Sequence, residues 1–247
     1  MRNTITIFKR ELKSYFATPV AYVFIIAFLF LAGGFTFYLG NFYTGTEQDQ
    51  ATLQSFFGFH PWLYLFLLPA ISMRLWSEER RVGTIELLMT LPITTMQAVM
   101  GKFLAAWFFA GIVLSLTLPF WFTVNYLGEP DNGVILAGFI GSFLMSGAYL
   151  AIGSFFSAVT RNQIIAFVTS IVACLLFILA GFPLVTDAVS GWAPASVLDT
   201  VRSFSFLTHF NNITRGLIDL RDLIFFGTLM ACFLLANVLV IDVKKAD

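Results

Sequence analysis

Few residues in this chain could make or break bonds. Its 247 residues include two histidines, His60 and His209, and two cysteines, Cys174 and Cys232. Metal sites need clustered ligands at set spacings, and neither His-Glu-x-x-His nor Cys-x-x-Cys occurs. Each cysteine lies in a long apolar run, which fits a buried inert thiol better than a disulfide framework. Gly153-Ser154 lacks the Gly-x-Ser-x-Gly elbow and lies far in depth from either histidine, so Ser/His catalysis is not expected. No Walker-A pattern occurs, so no P-loop ATPase site is expected. The expectation is therefore no catalytic residue, no metal and no cofactor in this chain. A membrane enzyme or metal-handling protein using His60 and His209 stands as an alternative.

The ionisable residues that do cluster lie in one stretch, Arg74 to Pro92. It holds Glu78, Glu79 and Glu86 beside Arg74, Arg80 and Arg81. Gly83 can close one helical piece, Thr84 can cap a second, and Pro92 stops it about two turns later. Thr94 and Gln97 have the spacing of a capping box for the next helix. Ile85, Leu87, Leu88 and Leu91 make the short helix partly apolar. A helix lying on an anionic leaflet prefers a Lys/Arg-rich polar face, whereas this one carries acids. Docking to a protein partner fits better, and a plain structural loop is the alternative.

The elements that must hold this stretch are membrane spans. The chain is 58% apolar, 17% aromatic and 11% charged, with mean hydropathy +0.85. Soluble domains carry about 25% charged residues. A helix needs roughly 20 apolar residues to cross the hydrocarbon. Six runs qualify: 20–39, 56–73, 103–126, 134–159, 164–185 and 223–243. His60-Pro61 and Pro69 interrupt the second run and Pro119 the third, which a membrane helix tolerates when neighbours satisfy the freed carbonyls. No cleavable signal peptide is expected, because the first run is long enough to span and no small-residue cleavage site follows it.

If all six cross, Arg2, Lys9, Arg10, Lys13, Arg74, Arg80, Arg81, Lys102, Arg161, Lys244 and Lys245 fall on one side. Only Arg202, Arg215 and Arg221 fall on the other. The first side is then cytoplasmic by the positive-inside bias, with both termini there. The formal net charge of zero gives no sign of a nucleic-acid partner.

Two further segments do not span. Ile5, Phe8, Leu12, Tyr15 and Phe16 share one helical face near the N-terminus, with the basic residues beside or opposite it. This reads as an interfacial amphipathic helix ended by Thr18-Pro19. It is either a lipid anchor or a connecting helix that touches a cytoplasmic partner. The outer segment 186–222 is too apolar for a flexible linker and reads as interfacial or re-entrant helices. The fourth run is rich in small residues, including Gly138, Gly141, Gly147 and Gly153. That spacing suits close packing inside the bundle, or else a dimer seam. The span centres lack the Asp, Glu, Arg or His typical of ion-coupled pumps. Transport, if it occurs, would draw energy from a partner.

The stretch Ser77-Glu78-Glu79-Arg80-Arg81-Val82-Gly83-Thr84-Ile85-Glu86-Leu87-Leu88, followed by Leu91-Pro92 and Gly101-Lys102, resembles the coupling-helix region of ABC-2 type transporter permeases. Lys9-Arg10-Glu11-Leu12-Lys13-Ser14-Tyr15-Phe16, with Thr18-Pro19, resembles their N-terminal connecting helix. Ser205 to Phe210 and Arg215 to Asp222 resemble the gliding-motility-type subgroup that contains GldF. The resemblance covers essentially the whole chain. It implies an all-α polytopic protein with six transmembrane helices in the type V ABC exporter (ABC-2) fold and cytoplasmic termini. The connecting helix would occupy 1–19 and the transmembrane domain 20–247. Within the latter the coupling helix would lie at about 77–92 and the external helices at about 186–222.

The resemblance further implies docking of an ATPase subunit by Glu78, Glu79, Arg80, Gly83, Thr84, Glu86 and Leu87. Arg10, Glu11 and Lys13 would serve in the connecting helix. Implied partners are a cytoplasmic ABC ATPase holding ATP and Mg, a second permease copy or paralogue, and membrane lipid. A membrane protein with a large periplasmic domain is a further partner that the resemblance allows. The implied place is the bacterial inner membrane. A non-transporting scaffold, anchoring an ATPase or passing force to a periplasmic complex, is the alternative function.

Overall fold

The computed structural model describes residues 2–39, 53–85, 92–182, 185 and 200–244. Among them the regular elements are all helical and no strand occurs. They are α1 (Arg2–Ala17), α2 (Pro19–Gly34, running into a π-helical turn at Phe35–Leu39), α3 (Gln54–Ser72), α4 (Arg74–Val82) and α5 (Thr95–Ser115). Then follow α6 (Leu118–Leu127), α7 (Asn132–Val159), α8 (Gln163–Leu179), α9 (Phe206–Thr214) and α10 (Leu220–Val243).

Among the described residues five stretches are long and apolar enough to cross a bilayer: Pro19–Leu39, Gln54–Val82, Thr95–Leu127, Asn132–Val159 and Leu220–Val243. The predicted fifth run, 164–185, is represented by α8, which is apolar but 17 residues long. It ends early because the chain tightens there. Gly181 N–H bonds to the Ile178 carbonyl and Phe182 N–H to that of Leu179, both three residues back. At this point a Cβ on Gly181 would collide with the Ser205 side chain at the start of α9.

Local signals explain most of the boundaries. Pro19 occupies the first turn of α2, where its missing N–H costs nothing. Thr94 accepts from Gln97 N–H at 3.2 Å and its own N–H reaches Gln97 Oε1 at 3.3 Å, the capping box expected for α5. The third span breaks between α5 and α6 at Leu116-Thr117, just before Pro119, because Pro119 cannot continue the donor ladder. Asp131 and Asn162 cap α7 and α8 through their side-chain oxygens.

Helix α3 ends at Ser72, next to the expected end of the second run at 73, and the acid-rich stretch follows almost without a gap. After a single residue, Met73, the chain resumes as α4 up to Val82. The reason lies in α7. Ser157 Oγ accepts the Trp76 and Ser77 N–H groups, each at 3.0 Å, and donates to the Met73 carbonyl at 2.7 Å. A hydroxyl from another helix thus caps the break, and Trp76 and Ser77 are buried against α7.

Helix α7 is the axis of the bundle and touches α3, α4, α5, α8, α9 and α10. Its small residues let the neighbours approach. A Cβ at Gly138 would strike the Phe57 ring, one at Gly147 would lie 2.9 Å from the Trp107 indole, and one at Gly153 would lie 2.7 Å from Ser72 Cβ. Close packing within the chain is therefore one use of these small residues. Ser72 Cβ is tied to the backbone and cannot swing away. Gly153→Ala should consequently cost about 1–3 kcal/mol, the usual range for overpacking. Thermal unfolding of the detergent-solubilised protein measures this, and an unchanged midpoint would count against the packing described.

Candidate functional site

The charge-rich end of the bundle gathers three segments that are far apart in sequence. Helix α1 packs along the first half of α5. Asn3 Nδ2 donates to the Pro92 carbonyl at 3.2 Å, Phe8 meets Phe108 edge-on, and Tyr15 stacks on Phe109 with centroids 5.2 Å apart. The innermost residue is Ile7, which the amphipathic reading of the sequence left out, while Ile5 from that reading is 53% exposed. Ile7 seats on Gly101, where a Cβ would lie 2.7 Å from Ile7 Cγ2. The face turned inward therefore runs Ile7, Glu11, Tyr15, at four-residue intervals.

That rotation brings Glu11 to the buried Lys102, the residue after Gly101. Lys102 is 3% exposed. Its Nζ lies 2.8 Å from Glu79 Oε1 and 3.5 Å from Glu11 Oε1, and 5.2 Å from the centre of the Trp76 ring. Arg10 pairs with Glu11 at 2.6 Å and approaches Glu79 at 4.0 Å. Two cations and two carboxylates thus balance. A buried ammonium needs such compensation, since taking an isolated ion out of water costs several kcal/mol. Burial first, and then the Glu11 carboxylate, push the Tyr15 phenol above its ordinary range, so it stays protonated.

The other predicted residues are distributed around this clasp. Glu78 faces away and pairs with Arg81 at 2.6 Å. Arg80 donates to the Ala158 carbonyl at the end of α7. Lys13 is exposed. Gly83 terminates α4 with φ 78°, a left-handed conformation that glycine adopts without strain, and Val82, Gly83 and Thr84 are exposed. Glu86 and Leu87 lie outside the described residues, as do 186–199 of the outer segment. Of the predicted set, the fold brings Arg10, Glu11 and Glu79 together. The central residue, Lys102, was missed as a site residue. The sequence signal that could have found it is the Gly101-Lys102 pair at the start of an otherwise apolar span.

A cavity of about 480 Å³ opens beside the clasp between α1, α2, α3 and α4. Glu11, Arg74, Glu79 and Lys102 line one part of it, and Val20, Phe24, Ile71 and Phe109 another. Glu79 Oε2 is buried without a hydrogen-bond partner among the described residues.

The two histidines sit in separate networks. His60 Nδ1 is 2.7 Å from Ser142 Oγ, and its ring stacks on Tyr64. His209 Nδ1 is 2.5 Å from Asp222 Oδ1, and its Nε2 is 2.9 Å from the Ser203 carbonyl. Among the described residues no three His, Cys, Asp or Glu side chains come together as metal ligands.

A family model described as ABC-2 family transporter protein matches residues 5–241, nearly the whole chain. No curated protein matches it.

Proposed function

This chain belongs to the ABC-2 family of transporter proteins, and on that premise we propose that it is a permease subunit moving a substrate across the bacterial inner membrane with energy from separate ATPase subunits. As a multi-pass membrane protein of that family it supplies the membrane component. ATP and Mg belong to the partner. We place it in the gliding-motility-type, GldF-like subgroup on the stretches 205–210 and 215–222, with six spans and both termini cytoplasmic. Two copies, or a copy and a paralogue, form the pathway at their seam.

The observation that carries this reading is the clasp of Glu11, Lys102 and Glu79. It ties the N-terminal helix and the helix leading into 77–92 to one span. ATP-driven closure of the ATPases displaces the docking segment at its exposed tip. Because α1, α4 and α5 are joined at Lys102, they move as one body. Because Ser157 and Ser154 of α7 hold Trp76 through its backbone and its indole, the displacement reaches the helix at the axis of the bundle. In this scheme Glu79 positions the docking segment from within, while Val82, Gly83 and Thr84 face the ATPase, together with Glu86 and Leu87.

Val82→Glu combined with Thr84→Lys tests the docking role. Both positions are exposed, so folding should be kept. Co-purification of a co-expressed ATPase subunit is expected to fall at least tenfold. Full co-purification with undiminished ATPase activity would remove the docking assignment.

A further inference from the structure

A second cationic site lies at the end of α7, apart from the clasp. The last carbonyls of this helix have no partner within it. Arg80 of α4 donates to the Ala158 carbonyl, and Lys244, just past α10, donates to that of Val159. Arg161 follows two residues later and is exposed. Three cations from three segments thus meet at one helix end. The negative pole of α7 offsets part of their charge, roughly half an elementary charge. Among the described residues none of the three has an ion-pair partner of opposite sign. Partial burial, and then the fields of Arg80 and Arg161, hold the Lys244 ammonium below the usual lysine range. Among the described residues the cluster therefore carries unmatched positive charge.

Its surroundings define what would neutralise it. Directly after Arg161, α8 opens with Ile164 and Ile165, which are 71% and 52% exposed. Directly before Lys244, α10 closes with Leu239 and Val243, both 65% exposed. A soluble acidic partner would match the charges and leave these apolar faces unmatched. A molecule with an anionic head and hydrocarbon tails matches both at once. Basic pockets between membrane helices at the headgroup level are suited to this chemistry.

We infer that Arg80, Arg161 and Lys244 bind the phosphate of an anionic phospholipid, whose acyl chains lie on the exposed faces of α8 and α10. Arg80 and Lys244 are already oriented by the α7 carbonyls, so the headgroup meets a partly fixed set of donors. Arg161 completes it from the short α7–α8 connection.

The test uses the purified full chain in detergent with phosphatidylglycerol or phosphatidylcholine added, read by native mass spectrometry. The wild type is expected to retain phosphatidylglycerol at least fivefold over phosphatidylcholine. Arg161→Gln with Lys244→Gln should bring that ratio below twofold, and Arg161→Lys with Lys244→Arg should keep it. Arg161→Gln alone removes an exposed side chain and is expected to halve the ratio or more without loss of folding. Equal retention of both lipids by the wild type, or an unchanged preference in the Gln variants, would overturn the site. So would displacement of the lipid by millimolar inorganic phosphate, which would mark a free-anion site. Loss of ATPase-subunit capture with lipid preference intact would assign the cluster to a protein partner and overturn it equally.

Discussion

Lys102→Glu is expected to detach the N-terminal helix from the bundle. The substitution would place a third carboxylate between Glu11 and Glu79, in a position that is 3% exposed in the wild type. Removing one partner of a buried ion pair costs about 3–5 kcal/mol, because the other charge is left uncompensated. Among the described residues Arg10 is the other cation paired with these carboxylates, and its side chain is 54% exposed, so it can answer only part of the new charge. The measurements are the thermal midpoint and the rate of proteolysis near Arg10 in detergent. Adding Glu79→Lys to Lys102→Glu restores the original count of charges and should recover at least half of the lost stability. A Lys102→Glu protein that melts like the wild type would show that the clasp holds nothing. If the double variant recovers transport together with stability, the clasp serves packing alone.

Asp222→Ala is expected to loosen the opposite end to a similar degree. His209 and Asp222 are both buried, and the imidazole is gripped on both nitrogens. Nε2 faces the Ser203 carbonyl, which can only accept, so Nε2 carries a hydrogen. Nδ1 faces a carboxylate oxygen at 2.5 Å, and two lone pairs cannot meet at that distance. A proton must therefore lie between them, and the pair is neutral as a whole. Asp222→Ala leaves Nδ1 unpaired in a buried site beside Phe225, at a cost of about 2–4 kcal/mol. Asp222→Asn keeps the shape, and its amide N–H can donate to Nδ1, so it should cost about 1 kcal/mol or less. The contrast between the two variants in thermal unfolding is the test. Equal losses would mean that Asp222 acts through charge rather than through this hydrogen bond. The pair also has an architectural consequence, since it fastens the turn at Ser203 and helix α9 to the first turn of α10.

Much of this molecule could be read from local signals. The apolar runs, the capping box at Thr94 and Gln97, the stop at Gly83 and the break near Pro119 all depend on residues within a few positions of each other. The length of an apolar run and the chemistry of a cap act over a turn or two, so they are visible along the chain. Even the family resemblance rested on contiguous stretches, and the family match covers the same length.

Other features depended on which helix lay beside which. Amphipathicity marked α1 as having an inner face but left its rotation open by about one residue. The seat on Gly101 turned Ile7 and Glu11 inward and left Ile5 outside. The near-continuous passage from α3 into α4 has the same kind of cause. Ser157, 84 positions from Met73, supplies the cap that lets α4 continue. Glu79 is read in sequence as a surface acid ready for a partner, and in the fold it is an internal counter-ion for Lys102. A charge's role is set by the dielectric around it and the nearest opposite charge, and both come from residues remote in sequence. Local composition thus placed the helices in the membrane, and only their packing around α7 decided which charges are held inside and which are left facing outward.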